Sequence, residues 1–140
     1  MRGNTIDVSE IQVGDVTPDV KYTITKDQIK DYALLSTDNN PLHVDEEFAN
    51  KSMFKGIIAH GTIPLAYMFQ TVYEYFKLAW IKGMKFEVKF IAPVRPSDVV
   101  VCNGKIKNVN TDDGNIVIEL YCQNQRDENV IVGEAIVPIQ

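Results

Sequence analysis

The chain has 140 residues, 45% of them hydrophobic and 24% charged, with a formal net charge of −5. That length buries a real core without disulfide or metal support, and the composition is that of a folded globular protein rather than a disordered one. The acidic balance, with no run of Lys and Arg interleaved with aromatics, excludes nucleic acid as the expected partner.

Cys102 and Cys122 fall in strand-like segments, are too few for a secreted disulfide framework, and read as buried, reduced thiols. The opening MRGNTIDVSEIQVGD lacks an apolar run of signal-peptide type. The longest uncharged stretch, residues 56–73, is broken by His60, Gly61, Thr62, Pro64 and Gln70. It falls short of the ~20 apolar residues that a membrane span needs. The expectation is a cytoplasmic protein with no membrane partner, folded as one domain over residues 1–140.

Residues 1–20 read as irregular, punctuated by the Val13-Gly14-Asp15 turn and Pro18. Val20–Ile24 alternates as a short strand. Thr25 then has the position of a helix N-cap, with Gln28 placed to reach back as in a capping box. The helix is expected over Lys26–Leu35, its apolar stripe formed by Ile29, Tyr32, Ala33 and Leu34 or Leu35. Asp38, Asn39, Asn40 and Pro41 favour a turn, and Pro41 pushes the residue before it out of the α region. Asp45 is placed to cap a short helix through Phe48 and Ala49.

The next helix is expected from Gly61 or Thr62 to about Lys77, with Pro64 tolerated in its first turn. Ile63, Leu65, Ala66, Met68, Phe69, Val72, Tyr73 and Phe76 cover more than half of its circumference, so it should be largely buried. From Met84 the period changes to two: Met84, Phe86, Val88 and Phe90 alternate with Lys85, Glu87 and Lys89, giving a strand with one wet face. Pro93 and Pro96 mark a loop. Val99–Val109 and Ile116–Asn124 read as strands around Asp113-Gly114, and Val130–Val137 follows the turn at Arg126–Asn129. Helices followed by an antiparallel meander imply an α+β layer, one long helix packed on a sheet.

Both histidines lie in the stretch from Ser36 to Gly61. Ser36-Thr37-Asp38-Asn39-Asn40-Pro41-Leu42-His43-Val44-Asp45, followed by Phe54 and Ala59-His60-Gly61, resembles the signature of the MaoC-like, (R)-specific enoyl-CoA hydratase family. The resemblance extends to Val13-Gly14-Asp15, the Thr25 helix start and Phe90-Ile91-Ala92-Pro93-Val94, and so covers most of the chain. Ser97 departs from it, because many members carry Gly before the Asp of that loop.

The resemblance implies a hotdog fold, in which an antiparallel sheet wraps a central helix. It also implies a homodimer or higher homo-oligomer joined at the sheet edges, with a substrate tunnel near the interface. The implied reaction is reversible syn addition of water to a trans-2-enoyl thioester, giving the (R)-3-hydroxyacyl product. Its partner is an acyl-CoA or acyl-ACP thioester. Asp38 and His43 match the family's catalytic pair, Asn40 its water-holding amide, and Gly61 the residue whose backbone N–H meets the thioester oxygen. That last role has independent physical support, because a helix N-terminus offers free N–H groups to an oxyanion and Gly permits close approach. The chemistry calls for no cofactor and no metal.

Blander readings stand beside these. Asp38–Pro41 would serve equally as a helix-terminating turn, and His60 as a structural histidine that orients the loop. Tyr32 and Tyr67 are candidates for the acyl tunnel or for core, and Arg95, Lys55 and Lys85 for CoA phosphates or for simple solvation. His43-Val44-Asp45 with His60 superficially copies a two-His-one-carboxylate iron site, although a helix start is the wrong setting for one. A dehydratase acting on acyl carrier protein substrates and a thioester-binding module without turnover are the alternatives within the family.

Overall fold

The computed structural model describes residues 7–77 and 82–139. The expected irregularity of residues 1–6 lies outside these. The described remainder of the N-terminal segment is irregular except for a 3-10 turn at Val8–Glu10 and a single bridge from Val16 to Lys105.

Strand β1 spans Val20–Thr23, and helix α1 spans Lys26–Ser36. The Thr25 hydroxyl accepts from the Gln28 N–H at 3.1 Å, so half of the expected capping box forms. The other half does not: the Gln28 side chain turns away to donate to the Tyr67 hydroxyl. The apolar stripe is also narrower than its sequence. Ile29 and Ala33 are buried, whereas Leu34 and Leu35 are 71% and 85% exposed, because no element covers the last turn of α1 on that side.

Two short helices follow, α2 at Pro41–Val44 and α3 at Glu46–Lys51, then the long α4 at Thr62–Phe76. The sheet comprises β1 with β2 at Lys85–Phe90, β3 at Val99–Asn110, β4 at Asn115–Gln123 and β5 at Asn129–Pro138. It is antiparallel throughout, in the order β1-β3-β4-β5-β2. The meander therefore holds for β3 to β5, while β2 crosses to the far edge. Gly114, with φ 71, closes the β3–β4 turn as its Asp-Gly sequence predicts.

One face of the sheet wraps α4, which packs against β3, β1 and β4; this is the hotdog arrangement. Met68, Val72 and Phe76 of the helix are fully buried against Val100, Ile106, Ile116, Ile118 and Leu120. Each such side chain contributes roughly 1.5–3 kcal/mol by leaving water. Polar links cross this core: the Thr17 and Thr71 hydroxyls lie 2.8 Å apart, the Gly104 N–H donates to Thr17 at 2.7 Å, and the Cys102 thiol donates to the Pro64 carbonyl at 3.7 Å. Cys102 and Cys122 face each other across β3 and β4 as free, buried thiols. The neighbouring Cys122 thiol, reinforced by burial, pushes the Cys102 thiol far above its ordinary pKa.

The long helix is less enclosed than its composition predicts. Phe69 and Tyr73 remain 42% and 41% exposed, with the Phe69 ring tilted against Phe86 of the edge strand β2. At the other end of β2, Gly133 of β5 pairs with Val88 so closely that an added Cβ would lie 2.8 Å from the Val88 Cα and closer still to the Glu87 carbonyl. Only glycine permits that approach.

Beyond β2 the loop to β3 is braced by the buried Asp98, which accepts from the Arg95 N–H at 2.9 Å and from Gln125 Nε2 at 2.7 Å. Ser97 in this loop has φ 75, the conformation that glycine tolerates and other residues resist. The departure from the family pattern therefore places a side chain in a backbone conformation suited to glycine. Ser97→Gly is expected to raise the unfolding free energy by about 0.5–1 kcal/mol, the relief of strain exceeding the added chain entropy. A urea midpoint that moves up with unchanged slope would show this, and one that stays or falls would contradict it.

Candidate active site

Helix α1 ends at Thr37, whose φ of 63 turns the chain sharply. A ladder of local hydrogen bonds then shapes the loop. The Asp38 N–H donates to Ser36 Oγ at 3.2 Å, and the Asn40 N–H donates to the Asp38 carboxylate at 3.3 Å. Asn40 Oδ1 accepts from the Leu42 N–H at 3.0 Å, capping α2, with Pro41 as the first helical residue. Helix α2 had its signal in the sequence, since an Asn cap followed by Pro is a common helix start. Asp45 accepts from the Phe48 N–H at 3.1 Å and caps α3 as expected.

Residues 57–61 run alongside this loop and hold it. The Ile58 N–H donates to the Leu42 carbonyl at 3.1 Å, and the Ile58 carbonyl accepts from His43 Nδ1 at 2.7 Å. His60 Nε2 donates to the Asp38 carbonyl at 2.9 Å, and its ring stacks on His43 with centroids 3.9 Å apart. The Ala59 N–H reaches the Val94 carbonyl at 2.7 Å, fastening the segment to the loop beyond β2.

These contacts fix both tautomers. A carbonyl only accepts, so His43 carries its hydrogen on Nδ1, and the neutral ring keeps a lone pair on Nε2. By the same argument His60 carries its hydrogen on Nε2. His60 is 2% exposed, and its Nδ1 is a buried acceptor without a hydrogen-bond partner among the described residues.

Gly61 follows immediately, at the N-cap of α4, and no described residue accepts its N–H. A side chain there would meet the ring of Phe90, whose Cε1 lies 2.9 Å from the position of an added Cβ. Glycine thus lets the Phe90 ring lie against the start of α4, and any larger residue would displace that ring.

Asp38, His43, His60 and Gly61 line one cavity of about 510 Å³, completed by the apolar Phe54, Ile58, Pro64, Phe90, Ile91 and Val94 among others. Its chemistry is that of an apolar slot with a carboxylate, an imidazole and a free backbone donor at one end. Asn40 is not among its lining residues. Tyr32 and Tyr67 are not either: Tyr32 meets the Thr62 hydroxyl at 2.5 Å, and Tyr67 stacks on Tyr22. Arg95 donates to the Phe54 carbonyl and so supports the cavity wall. A roomier cavity of about 760 Å³ lies on the other side of His43, walled largely by charged residues of α1 and α3. It contains neither Asp38 nor Gly61.

One donor atom from each of Asp38, His43 and His60 lies within 4.8 Å of the others. The carboxylate of this group is Asp38, not the Asp45 of the superficial iron motif, which is committed to its cap.

Residues 10–126 match the family model described as MaoC like domain. The chain belongs to the MaoC-like domain family. An (R)-specific enoyl-CoA hydratase of Rhodospirillum rubrum is 29% identical over 117 residues, covering 84% of this chain and 81% of that one. The uncharacterized protein YdeM of Bacillus subtilis is 32% identical, covering 95% of this chain and 98% of its own. The (R)-hydratase from A. caviae involved in PHA biosynthesis superposes with a TM-score of 0.79 at 23% identity, covering 94% of this chain and 98% of that one; it attests the fold. Hydro-lyase chemistry is thereby supported at the level of the MaoC-like family.

Two roles for Asn40 separate by substitution. Asn40→Ala removes the α2 cap and is expected to cost about 1 kcal/mol of stability, whereas Asn40→Asp keeps the capping oxygen and most of that stability. Thermal denaturation of the two variants checks this, and equal losses would show that the cap is not what the side chain contributes.

Proposed function

We propose that this MaoC-like protein catalyses reversible (R)-specific hydration of trans-2-enoyl-CoA, with Asp38 and His43 as the water-activating pair and Gly61 as the oxyanion donor. The observation that carries the reading is the convergence of the three on one apolar cavity. A relative named as an (R)-specific enoyl-CoA hydratase and another named as a 3-hydroxybutyryl-CoA dehydratase, which bears the name of the reverse reaction, support it.

Water is a poor nucleophile at neutral pH and needs a base and an orienting acceptor. His43 Nε2 has a lone pair because Ile58 holds the hydrogen on Nδ1, and the Asp38 carboxylate supplies the second acceptor. As the water oxygen bonds to C3, its proton passes to this pair, and the π electrons move toward the thioester carbonyl. The charge on that oxygen meets the Gly61 N–H at the N-terminus of α4, where the helix dipole favours it. Proton delivery to C2 from the same face completes syn addition, and the reverse sequence is dehydration. The apolar slot takes the acyl chain, and Asn40 acts through the loop that it caps.

We infer the same for assembly: two copies join through the edge strand β2, covering Phe69 and Tyr73. Edge strands and exposed aromatic faces are where such pairing is favourable. Sedimentation at micromolar concentration is expected to show a dimer, and a monomer would refute this arrangement.

Crotonyl-CoA is expected to lose its enoyl absorbance with purified protein. Asp38→Asn and His43→Ala should each lower kcat by roughly a hundredfold or more, with the fold retained by circular dichroism. Turnover unchanged in both variants would sink the assignment. Binding of the thioester without turnover in the unaltered protein would favour a non-catalytic module, and preference for carrier-protein substrates in kcat/KM would favour the dehydratase.

A further inference from the structure

We propose that Asp38, His43 and His60 form a binding site for a divalent transition-metal cation of the zinc class, and that the cation inhibits the site. Three features point to it. The donor atoms are already gathered within 4.8 Å of one another in a cavity that opens to solvent through the exposed Asp38. Each histidine is oriented as metal-binding histidines are, with its far N–H held by a backbone carbonyl: His43 by Ile58 and His60 by Asp38. The remaining lone pair of His60, on Nδ1, is buried without a donor among the described residues, in a side chain that lines the cavity.

This last feature separates the site from an ordinary cluster of polar residues. Water activation uses Asp38 and His43, and no step of it uses the His60 lone pair. A buried acceptor with no donor is satisfied by a hydrogen-bonding guest or by a Lewis acid. Two neutral imidazoles and one carboxylate make an N2O donor set with positions left for water, which suits zinc and its borderline neighbours rather than magnesium or calcium. Asp45, the other carboxylate near the histidines in sequence, is occupied in capping α3 and contributes nothing.

Inhibition follows from the lone pairs. The His43 Nε2 and Asp38 oxygens that would hold the cation are the ones that would take the proton from water. The inhibitory half of the proposal therefore rests on the proposed hydratase activity, while the binding half does not. Cys102 and Cys122 offer no competing site in the folded chain, both being buried.

The test titrates ZnCl2 into the full-length protein by calorimetry and follows CoCl2 by its visible spectrum, both without substrate. One ion per chain is expected, with cobalt bands of nitrogen and oxygen ligation and no thiolate charge-transfer band. His60→Asn and Asp38→Asn should each weaken binding by roughly tenfold or more, whereas Asp45→Asn should leave it unchanged. Circular dichroism confirms that each variant folds. No binding at millimolar zinc, a thiolate band, or loss of binding in Asp45→Asn would overturn the site. In a second arm, zinc should abolish crotonyl-CoA hydration and EDTA should restore it; activity that requires zinc would overturn the inhibitory role. Zinc binding in a protein that hydrates no enoyl thioester would uphold the site and refute the hydratase reading alone.

Discussion

Everything at the site depends on a short segment, Ile58 to His60, laid against the loop that carries Asp38 and His43. Three hydrogen bonds join them: Ile58 N–H to Leu42, His43 Nδ1 to the Ile58 carbonyl, and His60 Nε2 to the Asp38 carbonyl. They link residues 15 to 22 positions apart along the chain in the two side-chain cases. The same contacts set position and protonation together. The carbonyl that locates the His43 ring also decides which nitrogen is left basic, so geometry and reactivity have one cause.

The segment is itself anchored at both ends. Ala59 bonds to Val94, beyond the edge strand, and Gly61 begins the helix that the sheet encloses. The buried helix fixes the direction of the free N–H, and the sheet edge supplies Phe90, Ile91 and Val94 to the cavity wall. The core thus acts on the chemistry without contributing a reactive group. A shift of α4 along the sheet would move the donor relative to the carboxylate–imidazole pair, and apolar packing of Met68, Val72 and Phe76 resists that shift.

Local chemistry was readable where both partners lie within a few residues. Thr25, Asp45 and Gly114 do what their sequence context predicts, because a cap or a turn is decided by its neighbours. Gln28 shows where that logic ends. Its expected backbone partner was three residues away, but the Tyr67 hydroxyl, 39 residues distant, takes its amide instead. Helix α2 was legible yet overlooked, its Asn-Pro start being equally the sequence of a turn. At the site, the family resemblance singled out Asp38, Asn40, His43 and Gly61, of which the fold brings all but Asn40 to one cavity, while the role of His60 as a brace took its form only from the fold, since its partner is a backbone carbonyl. The exposed Leu34, Leu35, Phe69 and Tyr73 mark the limit of hydrophobic periodicity, which says that a face is apolar and not what covers it.

The close approach of β2 to Gly133 carries a consequence for the cavity. Phe90 forms the cavity wall from the end of β2, and β2 sits where it does because position 133 has no side chain. The position of that wall is therefore set partly by the spacing of the β2 and β5 backbones. A methyl group at position 133 would collide with the Glu87 carbonyl and the Val88 Cα, so a residue outside the cavity lining bears on where that wall stands.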